Sequence, residues 1–150
     1  MPLIKDKTVI ENNWTFISDD AEIIAGNISV SLARFVQDKE QLLAREGLLG
    51  VRLNSADNVA QLSDDLKNLS LIELNFADFA DGRAFSQAWL LRNRYHYTGE
   101  IRAVGSYSND QLFYLSRVGV NAFDAANVED ATITLSKLND FSVSYQASVN

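Results

Sequence analysis

The chain has no cysteine, a single histidine (His96), a single proline and only seven glycines. Without cysteine it can form no disulfide, thiol nucleophile, cysteine-ligated iron–sulfur cluster or Cys-type zinc site from its own residues. With one histidine, a His-rich metal centre and a relay between two imidazoles are excluded as well, which leaves carboxylates, Arg, Lys, Ser and Tyr to carry any chemistry. No segment approaches the ~20 consecutive apolar residues of a membrane span. The N-terminal Met-Pro-Leu-Ile-Lys-Asp-Lys lacks the apolar stretch of a secretion signal, so a cytoplasmic location is expected. The glycine-rich dinucleotide fingerprint, the Walker lysine motif, the GxSxG elbow and HExxH are all missing.

What is present is the composition of an ordinary globular domain: 150 residues, 47% hydrophobic and 22% charged. That length suits one domain, 1–150, with a core of its own. The net charge of −7 opposes a general role on nucleic acid or an anionic membrane. Charge is unevenly spread, however. Between residues 83 and 117 stand Arg83, Arg92, Arg94, Arg102 and Arg117 against only Glu100 and Asp110. Such a cationic zone suits a small anion or an acidic partner, although arginines on helices are ordinarily solvated.

Residues 1–20 read as a hairpin, with Thr8–Ile10 and Trp14–Ile17 flanking an Asn-containing turn. From residue 28 to 139 short β-branched runs alternate with helical patterns, the sequence form of βα units. Strands are expected at Ile28–Ala33, Gly50–Asn54, Leu71–Phe76, Glu100–Gly105 and Val120–Asp124, with helices near 38–46, 57–68, 82–96, 109–118 and 127–138. In the third unit Ala84, Ala88, Leu91 and Tyr95 make one inward stripe, with Arg83, Gln87 and Arg94 on one flank and Phe85, Trp89 and Arg92 on the other. Ser108 and Gln111 have capping-box spacing, and Asp81 is placed to cap the helix that Gly82 opens.

A short internal repeat is more informative. Val51-Arg52-Leu53-Asn54-Ser55-Ala56-Asp57 and Ile72-Glu73-Leu74-Asn75-Phe76-Ala77-Asp78 share an apolar-charged-Leu-Asn-x-Ala-Asp pattern, and Ile101-Arg102 restarts it. Alternation puts Val51, Leu53, Ile72, Leu74, Ile101 and Ala103 on one face, and Arg52, Asn54, Glu73, Asn75, Arg102 and Val104 on the other. Strands buried on both faces would read as continuous apolar runs. These alternate, so the expected architecture is α/β: about five βα units in a parallel sheet, a partial (β/α) barrel with helices outside and one polar face, preceded by the hairpin. A flavodoxin-like three-layer sheet is the alternative. The hairpin, the segment Phe141–Val149 or a second copy of the chain in a homodimer would cover the polar face.

With neighbouring strands in sequence order, Arg52, Glu73 and Arg102 form a row of alternating charge that must be paired or hydrated. One reading is a structural network that fixes register; the other uses the surplus positive charge, with Arg83, to bind an anion. Ligands in such sheets sit beyond the carboxyl ends of the strands, here near Asn54, Asp57, Asn75, Asp78, Asp81, Gly105, Ser106 and Asp124. Asp81 and Asp78 are the candidate catalytic carboxylates; no metal site is expected and no cofactor is indicated.

From Asp81-Gly82-Arg83-Ala84-Phe85-Ser86-Gln87-Ala88 through Leu90-Leu91-Arg92, Gly99-Glu100-Ile101-Arg102-Ala103-Val104-Gly105, Asp110-Gln111-Leu112-Phe113 and Arg117-Val118-Gly119-Val120-Asn121-Ala122-Phe123, the chain resembles the bacterial domain of unknown function 934. The resemblance covers about residues 50–124. It departs at Val118, where many members carry Cys, at Ala77, where Pro is common, and in the loop Ser106-Tyr107-Ser108. What it implies is a pathway: members are commonly encoded beside assimilatory sulfite reductase and labelled oxidoreductases of sulfite reduction, within sulfate assimilation and cysteine biosynthesis. The expected role is a non-redox accessory or adaptor that binds a small oxyanion or an acidic partner, such as sulfite reductase or another enzyme of that route. Alternatives are a small enzyme using Asp81 or Asp78 as base with Arg83 and Arg102 as anion clamps, and an oxidoreductase dependent on a bound flavin or nicotinamide.

Overall fold

The computed structural model describes residues 2–77, 82–125 and 128–149, with side chains described throughout except at 128 and 140–149. Six strands run parallel in sequence order: β3 (Thr15–Phe16), β4 (Ile28–Ser31), β5 (Leu49–Leu53), β6 (Leu71–Phe76), β7 (Glu100–Gly105) and β8 (Ala122–Asp124). A hairpin of β1 (Pro2–Lys5) and β2 (Thr8–Glu11) adds to β8 antiparallel, giving the eight-stranded order β2-β1-β8-β7-β6-β5-β4-β3. The strand order never reverses, so the flavodoxin-like alternative is not adopted. The two ends of this order, β2 and β3, are joined by only residues 12–14. Four Cα steps from Glu11 to Thr15 span at most about 14 Å. The sheet must therefore curl until its edges approach, and the result is a half-barrel.

Alternation decides the two faces. Val30, Val51, Leu53, Ile72, Leu74 and Ile101 point outward into one hydrophobic cluster shared with the surrounding helices and turns. These are α1 (Leu32–Gln37), α2 (Lys39–Ala44), α3 (Arg83–Trp89), α4 (Leu112–Arg117) and α5 (Val128–Val149), which supply Phe35, Leu42, Ala88, Leu91, Leu115 and Leu138 to the same cluster. The expected stripe of α3 is seen: Ala84, Ala88 and Leu91 are buried and Tyr95 packs against the core.

Several expectations are corrected. The hairpin turns at Asp6-Lys7, both left-handed (φ 50° and 63°), and pairs β2 with Pro2–Lys5; Trp14–Ile17 lies at the far edge of the sheet. A turn of this kind usually advertises itself with Asn-Gly, and Asp-Lys does not. The first expected strand stops at Ser31, whose hydroxyl accepts from Arg34 N at 3.1 Å, so Leu32 and Ala33 open α1. The helix expected at 38–46 is α2, Lys39–Ala44, and the unexpected α1 precedes it, the two meeting at Asp38. That at 57–68 is two 3₁₀ turns, Val59–Leu62 and Leu66–Asn68, the first capped by Asn58 Oδ1 accepting from Ala60 N at 3.0 Å. The helix at 82–96 is α3 continued by a π-helical turn over Leu90–Arg94. The last strand starts at Ala122, and α5 runs to Val149 on the outer side of the sheet, beside β1, β2 and α4. The polar face is enclosed by the curl of the sheet itself.

Two flank positions of α3 were also misread from spacing. Gln87 is buried and its side-chain amide donates to the carbonyls of Asn54 (2.8 Å) and Asp57 (3.1 Å), tying the helix to the end of β5. Arg92, half-buried, folds back onto the chain: its guanidinium donates to the carbonyls of Gly119 (3.0 and 2.8 Å), Tyr97 (2.8 Å) and Gly99 (2.7 Å).

Candidate functional site

The inner face of the sheet carries a ladder of charges. Register places Arg52, Glu73 and Arg102 side by side on β5, β6 and β7. Arg52 donates through Nε and Nη2 to the two oxygens of Glu73, each at 3.2 Å, and Arg102 Nη1 lies 3.9 Å from Glu73 Oε2. Arg102 also turns to Glu100, two residues earlier on the same face of β7: Nε donates to Oε2 at 2.8 Å, and Nη2 lies 2.7 Å from that same oxygen. Lys5 of β1 completes the row, 3.2 Å from Glu100 Oε1. Asn12, in the short link that draws the sheet edges together, accepts from Arg102 Nη1 at 3.3 Å. Among the described residues the order across the barrel is thus Lys5, Glu100, Arg102, Glu73, Arg52, three cations and two carboxylates.

Its two ends differ. The Arg102 side chain is 1% exposed and Glu73 4%, whereas Arg52 retains 26%. The Arg52 guanidinium lies 3.8 Å from the ring centroid of the exposed Phe16, a cation–π contact from the edge strand β3. Leu71, in the layer toward the amino ends, is fully buried, and so nearly are Leu3 and Val104, in the layer toward the carboxyl ends. Buried ion pairs hold only when each charge keeps a partner, and apolar neighbours above and below raise that requirement.

The layer toward the carboxyl ends is the mouth. There Asn75 Nδ2 donates to Asn54 Oδ1 at 3.0 Å, Asp57 Oδ2 accepts from Asn54 N at 2.8 Å, and Asp124 stands opposite Leu3. The twenty-one-residue repeat thereby becomes two direct contacts, Arg52 with Glu73 and Asn54 with Asn75. Gly105 (φ 88°) ends β7 against its neighbour: a Cβ there would fall 2.4 Å from Phe76 O. Burial pushes the Asp124 carboxyl above the ordinary carboxylate range, Arg102 opposes this and Glu73 adds to it. Its Oδ1 is buried with no hydrogen-bond partner among the described residues. Tyr107, whose phenol burial also pushes up, donates its hydroxyl to Asp124 O.

A carboxyl whose pKa is higher folded than unfolded makes the folded state hold more protons. Stability then falls as pH rises from the unfolded value, near 3.9, through the folded one. Asp124→Asn removes that penalty. Its urea midpoint at pH 7 should exceed the parent's, and the difference should vanish below pH 4; an unchanged midpoint at pH 7 would contradict the assignment.

Of the residues singled out by sequence, the structure brings Arg52 and Arg102 together through Glu73. Arg83 is exposed in the first turn of α3 and belongs to no described part of the ladder. Asp78 and Asp81 lie outside the described residues. Sequence reasoning passed over Glu100 as a member of the row, although its position two residues before Arg102 places it on the same face. Lys5, Asn12 and Phe16 gave no such signal, because only the closing of the sheet brings them to the row. The Ser108–Gln111 spacing is realised, with Gln111 Oε1 accepting from Ser108 N at 2.8 Å.

A curled parallel sheet with helices outside and an ion-pair ladder inside defines a small α/β half-barrel protein. The family model described as "Bacterial protein of unknown function (DUF934)" matches residues 50–150, and the chain belongs to that family. The matched stretch contains Arg52, Glu73, Glu100 and Arg102 but not Lys5, Asn12 or Phe16. No curated protein matches the chain. No described helix is long and apolar enough to cross a membrane.

Proposed function

We propose that this half-barrel is a non-redox accessory protein of assimilatory sulfite or sulfate reduction. It holds a small oxyanion, free or as the acidic group of a partner enzyme such as sulfite reductase, at the mouth of its sheet. The observation that carries the ligand class is the surplus of one cation in the ladder, with Arg52 as its reachable end. Asp124 stands on the same face toward the mouth, where burial pushes its carboxyl above the ordinary range and Arg102 opposes this. An oxyanion beside Arg52 supplies the missing negative charge through charge-assisted hydrogen bonds. The pathway comes from the family resemblance described above. A chain without cysteine has no thiol to oxidise, so the accessory role assigns redox chemistry to the partner.

The test is thermal unfolding in sulfite, sulfate and phosphate, comparing the parent with Arg52→Gln. A ligand that binds only the folded state stabilises it by RT ln(1 + [L]/Kd), about 2.7 kcal/mol at a hundredfold excess over Kd. Sulfate also stabilises proteins generally by exclusion from their surfaces, which acts on parent and variant alike. A saturable rise in the parent that Arg52→Gln lacks supports the site. Parallel curves for the two proteins in all three anions would remove it.

A further inference from the structure

We propose that the amide pair Asn54–Asn75 is the neutral half of the mouth site and sets its specificity, taking the third oxygen of a pyramidal or tetrahedral oxyanion whose other two oxygens lie on Arg52. This rests on the oxyanion reading above and adds to it the residues that select the ligand class. Arg52 uses Nε and Nη2 to bind Glu73, at 3.2 Å each, and among the described residues Glu73 alone forms an ion pair with it. The remaining edge of the guanidinium, Nη1 with the second hydrogen of Nη2, has no hydrogen-bond partner there. Such an edge is a planar fork that fits two oxygens. A carboxylate is satisfied by the fork alone. Sulfate, sulfite and phosphate bring a third oxygen that needs another donor.

Asn54 supplies it. The residue follows Arg52 by two positions on the same face, about 6.6 Å along the strand. One oxyanion fills that gap with a hydrogen bond of about 2.8 Å at each end. The neighbouring strand fixes the direction of the amide. Asn75 Oδ1 faces β7, where a Cβ on Gly105 would lie 2.8 Å from it, so Asn75 Nδ2 faces β5 and donates to Asn54 Oδ1 at 3.0 Å. Asn54 therefore turns its Nδ2 away from Asn75, and that group has no hydrogen-bond partner among the described residues. The backbone beneath it is held from both sides: Asn54 N donates to Asp57 Oδ2, and Asn54 O accepts from the buried Gln87 side chain, each at 2.8 Å. A donor fixed before the ligand arrives loses little freedom on binding. The two other described carboxylates beside this end of the ladder are already engaged, Asp57 by Asn54 N and Asp19 by Ser31 Oγ at 2.6 Å. Both asparagines occupy the same place in the twenty-one-residue repeat, which thereby contributes the amide pair as well as the ion pair.

Isothermal titration with sulfate and with acetate is the test, because acetate has no third oxygen and reads the Arg52 fork by itself. Sulfate should bind the parent saturably. Asn54→Ala, at an exposed side chain, should weaken sulfate about tenfold through the loss of one charge-assisted hydrogen bond, while acetate affinity stays within about twofold. Asn75→Ala leaves the Asn54 amide free to rotate and should weaken sulfate in the same direction by less, again sparing acetate. Equal losses for the two anions in Asn54→Ala, or an unchanged sulfate affinity, would overturn the specificity role and leave the Arg52 site standing. No saturable sulfate binding to the parent, or binding that Arg52→Gln leaves unchanged, would overturn the oxyanion reading and the amide role together.

Discussion

Glu73→Ala is expected to cost about 3–5 kcal/mol of unfolding free energy, the range found when one partner of a buried ion pair is removed. Glu73 is the carboxylate between two guanidiniums, with bidentate bonds to Arg52 and the flank of Arg102 on its other side. Removing it leaves the buried Arg102 with Glu100 and strips the half-exposed Arg52 of its described carboxylate partner. The paired change Arg52→Met with Glu73→Leu deletes charge in equal amounts and should be less damaging than Glu73→Ala alone, because it strands no further ion. Urea unfolding measures both. A Glu73→Ala loss below about 1 kcal/mol, the range of a solvent-exposed pair, would mean that water reaches the ladder freely.

The second large effect belongs to Arg92. Its guanidinium satisfies three carbonyls from two separate segments, Tyr97 and Gly99 before β7 and Gly119 before β8. Arg92→Ala removes the donors of three part-buried carbonyls, of which only Tyr97 belongs to a buried residue, so a loss of about 1–3 kcal/mol is expected. Arg92→Lys should recover less than half of this, since a single ammonium cannot reproduce a planar fork of donors. Gly119 explains why the contact is so close: its φ is 106°, and a Cβ would lie 2.4 Å from Arg92 Cγ. Gly119→Ala therefore tests the same joint from the other side. Equilibrium unfolding of the three variants decides the point, and an Arg92→Ala midpoint equal to the parent's would reduce the clamp to a surface contact.

The two effects show what kind of residue each level of description reveals. Arg52, Glu73 and Arg102 were legible as a row because side chains alternate along strands and consecutive βα units place strands next to one another. The same alternation separated the apolar outer face from the polar inner one and favoured a partial barrel over a three-layer sheet. Strands Leu71–Phe76 and Glu100–Gly105 were legible to the residue, since each is bounded by turn chemistry and carries a clean period of two. Arg92 was not legible. Helical spacing places it on a flank of α3, but its carbonyl partners belong to turns whose backbone conformations no periodicity encodes.

The sequence by itself determined the α/β class, the two unlike faces of the sheet and the exclusion of thiol chemistry, because these follow from residue type and local period alone. Only the tertiary structure decided that the hairpin joins β8 while Trp14–Ile17 starts the opposite edge, and that three linking residues then draw the sheet closed. That closure brings Lys5, Asn12 and Phe16 to a row of charges on β5, β6 and β7 as many as ninety residues away. Local patterns carry no information about contacts of that separation. It takes the curvature of the whole sheet to turn three alternating charges into an enclosed ladder with one reachable end.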